Sequence, residues 1–241
     1  MHIHLYSSGI DSFIGSLFLQ QEIGDAVIPV YFNLGHRYSR NEILLIKKTK
    51  PHTHIIENIL NLSHIEDVDA HIPFRNVLLI TTVASLYAYA EEDICIYINS
   101  MADDRVSDQG KTFIEQMNDL LNQHKVKANY IVQSSMPLDW TKFDAVDWYL
   151  KEGYPVEWLR DKTFSCYNPP SIDQHCFACP ACFRRNTVLY YAGIKTPFYN
   201  KELAEKYLQS LTTNKYPPKR KQAMASYLGW LFSEGPLAWF T

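Results

Sequence analysis

The chain opens MHIHLYSSGIDSFIGSLF, and this opening limits the fold more than any other stretch. His2-Ile3-His4-Leu5-Tyr6 reads as a short strand. Ser7 to Ser12 supply small and turn-forming residues, and Phe13, Ile14, Leu17 and Phe18 then recur at helical spacing. A strand that turns directly into a helix is the first unit of an α/β sheet. Such a turn points backbone N–H groups and the positive end of a helix at one spot, which suits an anion such as phosphate. The stretch contains neither G-x-x-x-x-G-K-[ST] nor G-x-G-x-x-G, so the Walker A and dinucleotide loops are excluded.

The rest of the chain keeps this rhythm. Ala26 to Asn33 is a β-branched and aromatic run that predicts a buried parallel strand. It ends in the polar loop Leu34-Gly35-His36-Arg37-Tyr38, and Glu42 to Lys50 reads as a helix. His54 to Asn58 reads as a third strand, and Leu60 to His71 as loop with a helical turn. The apolar run from Val77 to Tyr87 predicts a helix buried on nearly every face. Asp93 to Ser100 predicts the strongest strand. Phe113 to Leu121 is helical, Asn129 to Gln133 a strand and Trp140 to Lys151 an amphipathic helix. The expected fold is α/β: a doubly wound, mostly parallel sheet of about five strands with helices on both faces. Polar loops at the carboxyl ends of its strands mark where a ligand would sit.

Composition bounds the function. The 241 residues carry a formal net charge of −3 and are 46% hydrophobic and 20% charged. Such a chain can bury a large core without staples, and it gives no strong nucleic-acid signal. The start lacks the pattern of a secretory signal, and no apolar run nears the ~20 residues needed to cross a bilayer. The expectation is a cytoplasmic protein with no membrane partner, in which the five cysteines are not disulfides.

Four of those cysteines, Cys166, Cys176, Cys179 and Cys182, form C-x9-C-x2-C-x2-C. Two overlapping C-x2-C steps and a nearby fourth thiol offer one tetrahedral ion its full set of ligands. Zinc is the favoured ion, an iron–sulfur cluster its competitor, and His175 an alternative ligand. With four protein ligands the ion would be closed to substrate, hence structural. Cys95 lies alone in a strand and is expected in the core.

The order S-S-G-I-D-S resembles the SGGxDS pyrophosphate loop of the N-type ATP pyrophosphatases, with Ser8 in place of a glycine. Joined to the cysteine array, it resembles the QueC-type 7-cyano-7-deazaguanine synthases, over about Leu5 to Tyr199. Phe32 to Arg37 stands where that family has FDYGQR, with Gly35 and Arg37 matching. Pro73-Phe74-Arg75-Asn76 stands for PGRN, with Phe74 for glycine. Asp103, Asp108 and Phe113 match D-x-SGYPDCRPEF, whose SGYP core is absent. Thr141-Lys142 resembles SK, and Ser165-Cys166-Tyr167 with Cys176, Cys179, Cys182 and Arg185 matches SCY…CxxCxxCxxR.

The resemblance implies an adenine nucleotide alpha hydrolase-like fold and an ATP-dependent carbon–nitrogen ligase. A 7-carboxy-7-deazaguanine would be adenylated, ammonia would displace AMP to give an amide, and adenylation of the amide would lead to the nitrile. The implied partners are ATP, Mg²⁺, structural zinc, ammonia and the deazaguanine. Ser7, Ser8, Gly9, Ile10, Asp11, Ser12, Phe32 and Gly35 would bind the nucleotide, with Asp11 either capping the helix or holding Mg²⁺. Asp11, Arg75 and Lys142 would serve the chemistry. Arg37 would meet the substrate carboxylate, Asp103 or Asp108 its guanine-like edge, and Arg185 would also contact the substrate. The altered segments leave open a different deazaguanine or carboxylate, an amide product, or a partner protein or tRNA as acceptor. A non-enzymatic zinc-stapled binding protein is the further alternative.

The implied division is residues 1–160 as the ATP-binding domain, 161–199 as a zinc-binding helical region and 200–241 as a helical extension. Two helices are expected in the extension, Lys201 to Leu211 and Lys219 to Phe232. Tyr227, Leu228, Trp230, Leu231, Phe232, Trp239 and Phe240 need covering, by the parent domain or as a homodimer interface or lid. Lys219-Arg220-Lys221 reads as a solvated helix start.

Overall fold

Hydrophobic periodicity and strand-end turns in the first 134 residues produce one five-stranded, all-parallel sheet in the computed structural model, which describes residues 1–57, 60–67, 71–104, 108–213 and 216–238. The strands are β1 (His2–Leu5), β2 (Val27–Phe32), β3 (His54–Ile56), β4 (Ile94–Ile98) and β5 (Tyr130–Ser134). Their order is β3-β2-β1-β4-β5, so the chain reverses its winding between β1 and β4. Ligands of doubly wound sheets bind at that switch point, beyond the carboxyl ends of the strands. Pro29 sits in β2, where a proline removes a ladder donor. Because β3 pairs only with Val30 to Phe32, Pro29 lies where one side of β2 is a sheet edge.

The helices are α1 (Ile10–Ile23), α2 (Ser39–Thr49), α3 (Arg75–Leu86), α4 (Lys111–Gln123), α5 (Lys142–Lys151), α6 (Glu157–Asp161), α7 (Pro180–Tyr191), α8 (Lys201–Ser210) and α9 (Pro218–Ser233). The two sheet faces differ in chemistry. Alternate residues Ile3, Leu5, Val30, Ile94, Ile96 and Val132 form an aliphatic face that packs on α3 and α4 through Ile80, Val83, Phe113 and Met117. The opposite face presents His2, His4, Tyr97 and Asn99, joined by hydrogen bonds from His2 to Tyr97 at 2.9 Å and from His4 to Asn99 at 3.0 Å. On that side α1 packs Phe13 and Ile14 against Val146 and Tyr149 of α5 and Leu189 of α7. Gly15 allows this approach, since a Cβ there would lie 2.5 Å from the Ser135 hydroxyl.

Two expectations are corrected. The helix from Val77 is not buried all round: in α3 only Ile80, Val83 and Ala84 are buried, because just one of its faces meets the sheet. Nor is Lys219-Arg220 a solvated helix start. Lys219 Nζ pairs with Asp144 and Asp147, and Arg220 pairs with Asp103. In the extension, Tyr227, Leu228 and Leu231 of α9 are fully buried in one apolar cluster with Cys182 and Phe183 of α7. Trp230 stacks on Tyr190 at 5.6 Å between ring centroids. This part of the aromatic surface is therefore covered within the chain. Trp239 and Phe240 lie outside the described residues, as do Asn58 and Lys215. Among the described residues no helix is long and apolar enough to cross a membrane.

Candidate active site

The loop from Ser7 to Ser12 is held from within. Ser7 N–H donates to Ser12 Oγ at 2.7 Å, and Asn99 Nδ2 donates to the same hydroxyl at 3.2 Å and to the Leu5 carbonyl at 3.0 Å. Asn99 is fixed in turn by His4 Nε2 and Ser135 Oγ, which donate to its Oδ1 at 3.0 and 2.8 Å. His4 is fully buried, and burial lowers its pKa to about 4, so the imidazole stays neutral.

Gly9 is the N-cap of α1, with φ −67° and ψ 157°, and supplies no side-chain cap. The helix therefore begins with N–H groups free to meet a ligand. The capping role considered for Asp11 is thereby corrected: Asp11 is the second helical residue and faces Lys142 instead.

Ser8 is not strained by replacing a glycine, since it is not among the residues with positive φ. Its buried hydroxyl donates to Glu42 Oε1 at 3.2 Å and to the Phe164 carbonyl at 3.3 Å. Glu42 Oε2 also accepts from Tyr31 Oη at 2.9 Å and His36 Nε2 at 3.0 Å. Burial, reinforced by Glu42, pushes the Tyr31 phenol far above its usual range, so Tyr31 remains a donor.

These groups border a cleft of about 310 Å³ over the ends of β1, β2 and β4. Ser7, Gly9, Ile10, Asp11 and Ser12 line one side. Phe32, Tyr38, Arg75, Gln109, Tyr167, Arg184 and Arg185 line the rest. Four basic side chains (Arg75, Lys142, Arg184, Arg185) face it against two carboxylates (Asp11, Glu42). This local excess of positive charge, in a chain of net charge −3, favours an anionic ligand.

The four cations differ in their partners. Lys142 meets Asp11 directly and Asp104 Oδ1 at 3.7 Å. Burial opposes its charge, but Asp11 and Asp104 outweigh that and raise its pKa. Arg185 donates to the carbonyls of Arg160 at 2.7 Å and Thr163 at 3.3 Å, which binds the α6–α7 connection together. Arg184 Nη2 donates to Tyr167 Oη at 2.7 Å. Arg75 has no hydrogen-bond or ion-pair partner among the described residues. Burial disfavours its charge, and the neighbouring Tyr38 and Glu42 outweigh that and hold its pKa up.

Three residues expected at the substrate are placed elsewhere. Arg37 is held by Glu66, with Nε to Oε1 at 3.1 Å, and by the Asp67 carbonyl. Asp108 accepts from Asn76 N–H at 2.9 Å and so supports the start of α3. Asp103 is buried between Arg220 and the backbone of Lys142. None of the three lines the cleft, and neither does Gly35, whose φ of 75° shapes the turn after β2. Glu42, Asp104 and Gln109 carry no signal of their own in the sequence; Tyr38 and Tyr167 stand only within motifs, and Arg184 reads, with Arg185 after the last cysteine, as part of a metal-pinned loop that can wall a pocket. For Arg184 the signal was present: Ala181, Arg184, Arg185 and Val188 recur at helical spacing and line the cleft together.

The helix that brings Arg184 and Arg185 to the cleft starts at the cysteines. The Sγ atoms of Cys166, Cys176, Cys179 and Cys182 lie within 4.8 Å of one another, with Cys176 and Cys182 3.8 Å apart. Tetrahedral zinc–sulfur bonds of ~2.3 Å place sulfurs ~3.8 Å apart, so the four thiols fit such an ion. Cys179 caps α7, accepting the Cys182 N–H at 3.4 Å, which fixes the helix that carries Arg184 and Arg185. His175 Nδ1 stands 3.8 Å from Cys182 Sγ, outside the four-thiol set.

The chain thus presents a parallel α/β sheet with a loop suited to an anion at its switch point, walled by a helix that starts on a metal-type thiol cluster. A family model for the queuosine biosynthesis protein QueC matches residues 66–193, and the chain belongs to this family. Membership places it in queuosine-type deazaguanine biosynthesis as an enzyme. The matched segment includes Arg75, Lys142 and all four clustered cysteines, whereas the loop Ser7–Ser12 and the extension lie outside it. No curated protein matches the chain.

Proposed function

We propose that the cleft carries out the ATP-dependent conversion of 7-carboxy-7-deazaguanine and ammonia to 7-cyano-7-deazaguanine. The observation that carries this reading is the pairing, in one cleft, of the Ser7–Ser12 loop and Lys142 with the arginines Arg75 and Arg184. The loop N–H groups, α1 and Lys142 suit the pyrophosphate of ATP. Arg75 and Arg184 suit a carboxylate, and Tyr38 and Tyr167, 5.5 Å apart between centroids, offer a flat base an aromatic wall.

A carboxylate oxygen attacks the α-phosphorus, the bond to pyrophosphate breaks, and the loop receives the leaving group. Ammonia adds to the acyl carbon and AMP departs, leaving an amide. The amide oxygen attacks a second ATP in the same way, and loss of AMP with the nitrogen's protons gives the nitrile. The chain's own task is placement and charge neutralisation. Asp11 is the residue suited to Mg²⁺, which would supply the positive charge that backbone amides do not. The four cysteines would hold zinc as a structural ion, and the small-molecule partners argue for a cytoplasmic enzyme.

The test is incubation with ATP, Mg²⁺, ammonia and 7-carboxy-7-deazaguanine, with mass detection of AMP and of the deazaguanine nitrile or amide. Formation of the nitrile is expected. Amide alone would end the proposal at the first half, and no AMP from a protein with its metal bound would refute it.

A further inference from the structure

The helices α8 and α9 follow the family-matched segment, yet they grip the residues that carry two of the cleft's cations. Arg220, near the start of α9, donates from Nη1 to Asp103 Oδ2 at 3.1 Å and to the Asp103 carbonyl at 3.2 Å. The Asp103 side chain is 0% exposed. Its other oxygen accepts the backbone N–H of Lys142 at 3.1 Å, and Lys142 is the first residue of α5. One buried carboxylate therefore ties α9 to the residue whose ammonium reaches Asp11 and Asp104. On α8, Tyr207 lies beside Arg184 and stacks on Phe183 at 3.9 Å. A gap of about 20 Å³, room for one water, is bordered by Lys142, Arg184, Asp103 and Arg220 together.

We propose that Arg220 is a positioning residue: through Asp103 it fixes the start of α5, and with it the Lys142 ammonium at the phosphate site. This rests on the ATP-dependent reading above. A buried ion pair adds little net stability, but charge-assisted hydrogen bonds fix direction. A catalytic group displaced by ~1 Å can lose ~100-fold in rate. The extension is on this view part of the active centre rather than an added cover.

The experiment uses the full chain with Arg220→Gln, Arg220→Lys and the double variant Asp103→Asn/Arg220→Gln. AMP release and the affinity for Mg²⁺-pyrophosphate are measured beside thermal unfolding. Arg220→Gln is expected to slow AMP release about 10- to 100-fold, and Arg220→Lys to recover part of it. The double variant removes the unpaired buried charge and keeps an acceptor for the Lys142 N–H, so it should unfold like the wild type. It should still be about tenfold slow and bind pyrophosphate more weakly, because the anchor on α9 is gone. A folded double variant within about twofold of wild type in pyrophosphate affinity would overturn the proposal. If the wild type releases no AMP, the ATP-dependent reading fails, and the pyrophosphate affinities still decide the role of Arg220.

Discussion

On the loop wall of the cleft, the ammonium of Lys142 is already shared by Asp11 and Asp104, whereas on the facing wall Arg75 and Arg184 have no carboxylate partner among the described residues. The loop wall consists of backbone donors and a lysine whose charge is balanced before any ligand arrives. It offers geometry to a phosphate. The arginine wall consists of cations set against phenols, with the Glu42 carboxylate near Arg75 but already bonded to Ser8, Tyr31 and His36. An anionic ligand would find hydrogen-bond donors there that no carboxylate among the described residues occupies. On the proposed reaction the two walls would divide the work: one would orient the group that leaves, and the other would retain the group that is modified.

The largest effect expected from breaking this division is at Lys142. Lys142→Ala leaves Asp11 and Asp104 facing a triphosphate and should lower turnover about 1,000-fold. Arg184→Ala should instead raise KM for the deazaguanine acid about 100-fold, with KM for ATP little changed. Steady-state kinetics on both substrates checks the pair, and an Arg184 defect confined to ATP would reverse the assignment of the walls.

Next comes the support of the arginine wall. Cys179→Ser removes one thiol ligand while its hydroxyl keeps a cap acceptor for α7. It should abolish tight metal retention and lower the melting temperature by more than ~10 °C, as read by metal analysis and calorimetry. Equal stability with and without the metal would detach the cysteines from this wall.

The loop wall has its own support in His4. Its pKa in the folded chain is about 4 against an ordinary 6.5, with burial as the leading cause. The unfolded chain therefore binds the proton more readily, and stability present above pH 6.5 is lost as the pH falls toward 4. Between pH 7 and 5 the loss from this group is about 2 kcal/mol. Urea unfolding at the two pH values measures it, and His4→Gln should flatten that part of the dependence.

The smallest effect is at the entry to α3. Phe74 occupies the left-handed region with φ 55° and is 74% exposed. Such a conformation costs a bulky residue ~1–2 kcal/mol, and the entropy of glycine offsets ~0.5–1 of it. Phe74→Gly should stabilise the chain by about 0.5 kcal/mol without moving kinetics on either wall.

What the sequence disclosed follows from how local each signal is. The five strands, the Ser7–Ser12 loop and the cysteine set are written in neighbouring residues, and all appear where the pattern placed them. Arg37, Asp103 and Asp108 stood in motif positions, but their side chains are fixed by partners remote in sequence. Arg37 turns to Glu66, and Asp103 to Arg220, 117 residues away. No local period reports such a partner. Ser8 shows the same limit: its departure from glycine looked like a question of backbone strain, and the structure instead gives its hydroxyl a buried acceptor on Glu42.

The bonds that close the loop against the rear wall, Phe164 N–H to the Ser8 carbonyl at 2.7 Å and Ser8 Oγ to the Phe164 carbonyl, join segments 156 residues apart. During synthesis the anion loop therefore leaves the ribosome 156 residues before its seat. A nascent chain halted before Phe164 holds all five strands but lacks Tyr167, Arg184 and Arg185 of the cleft. Non-local closure of this kind is slow relative to helix formation, so competence for ligand arrives late, as a property of the whole chain rather than of its first domain-sized piece.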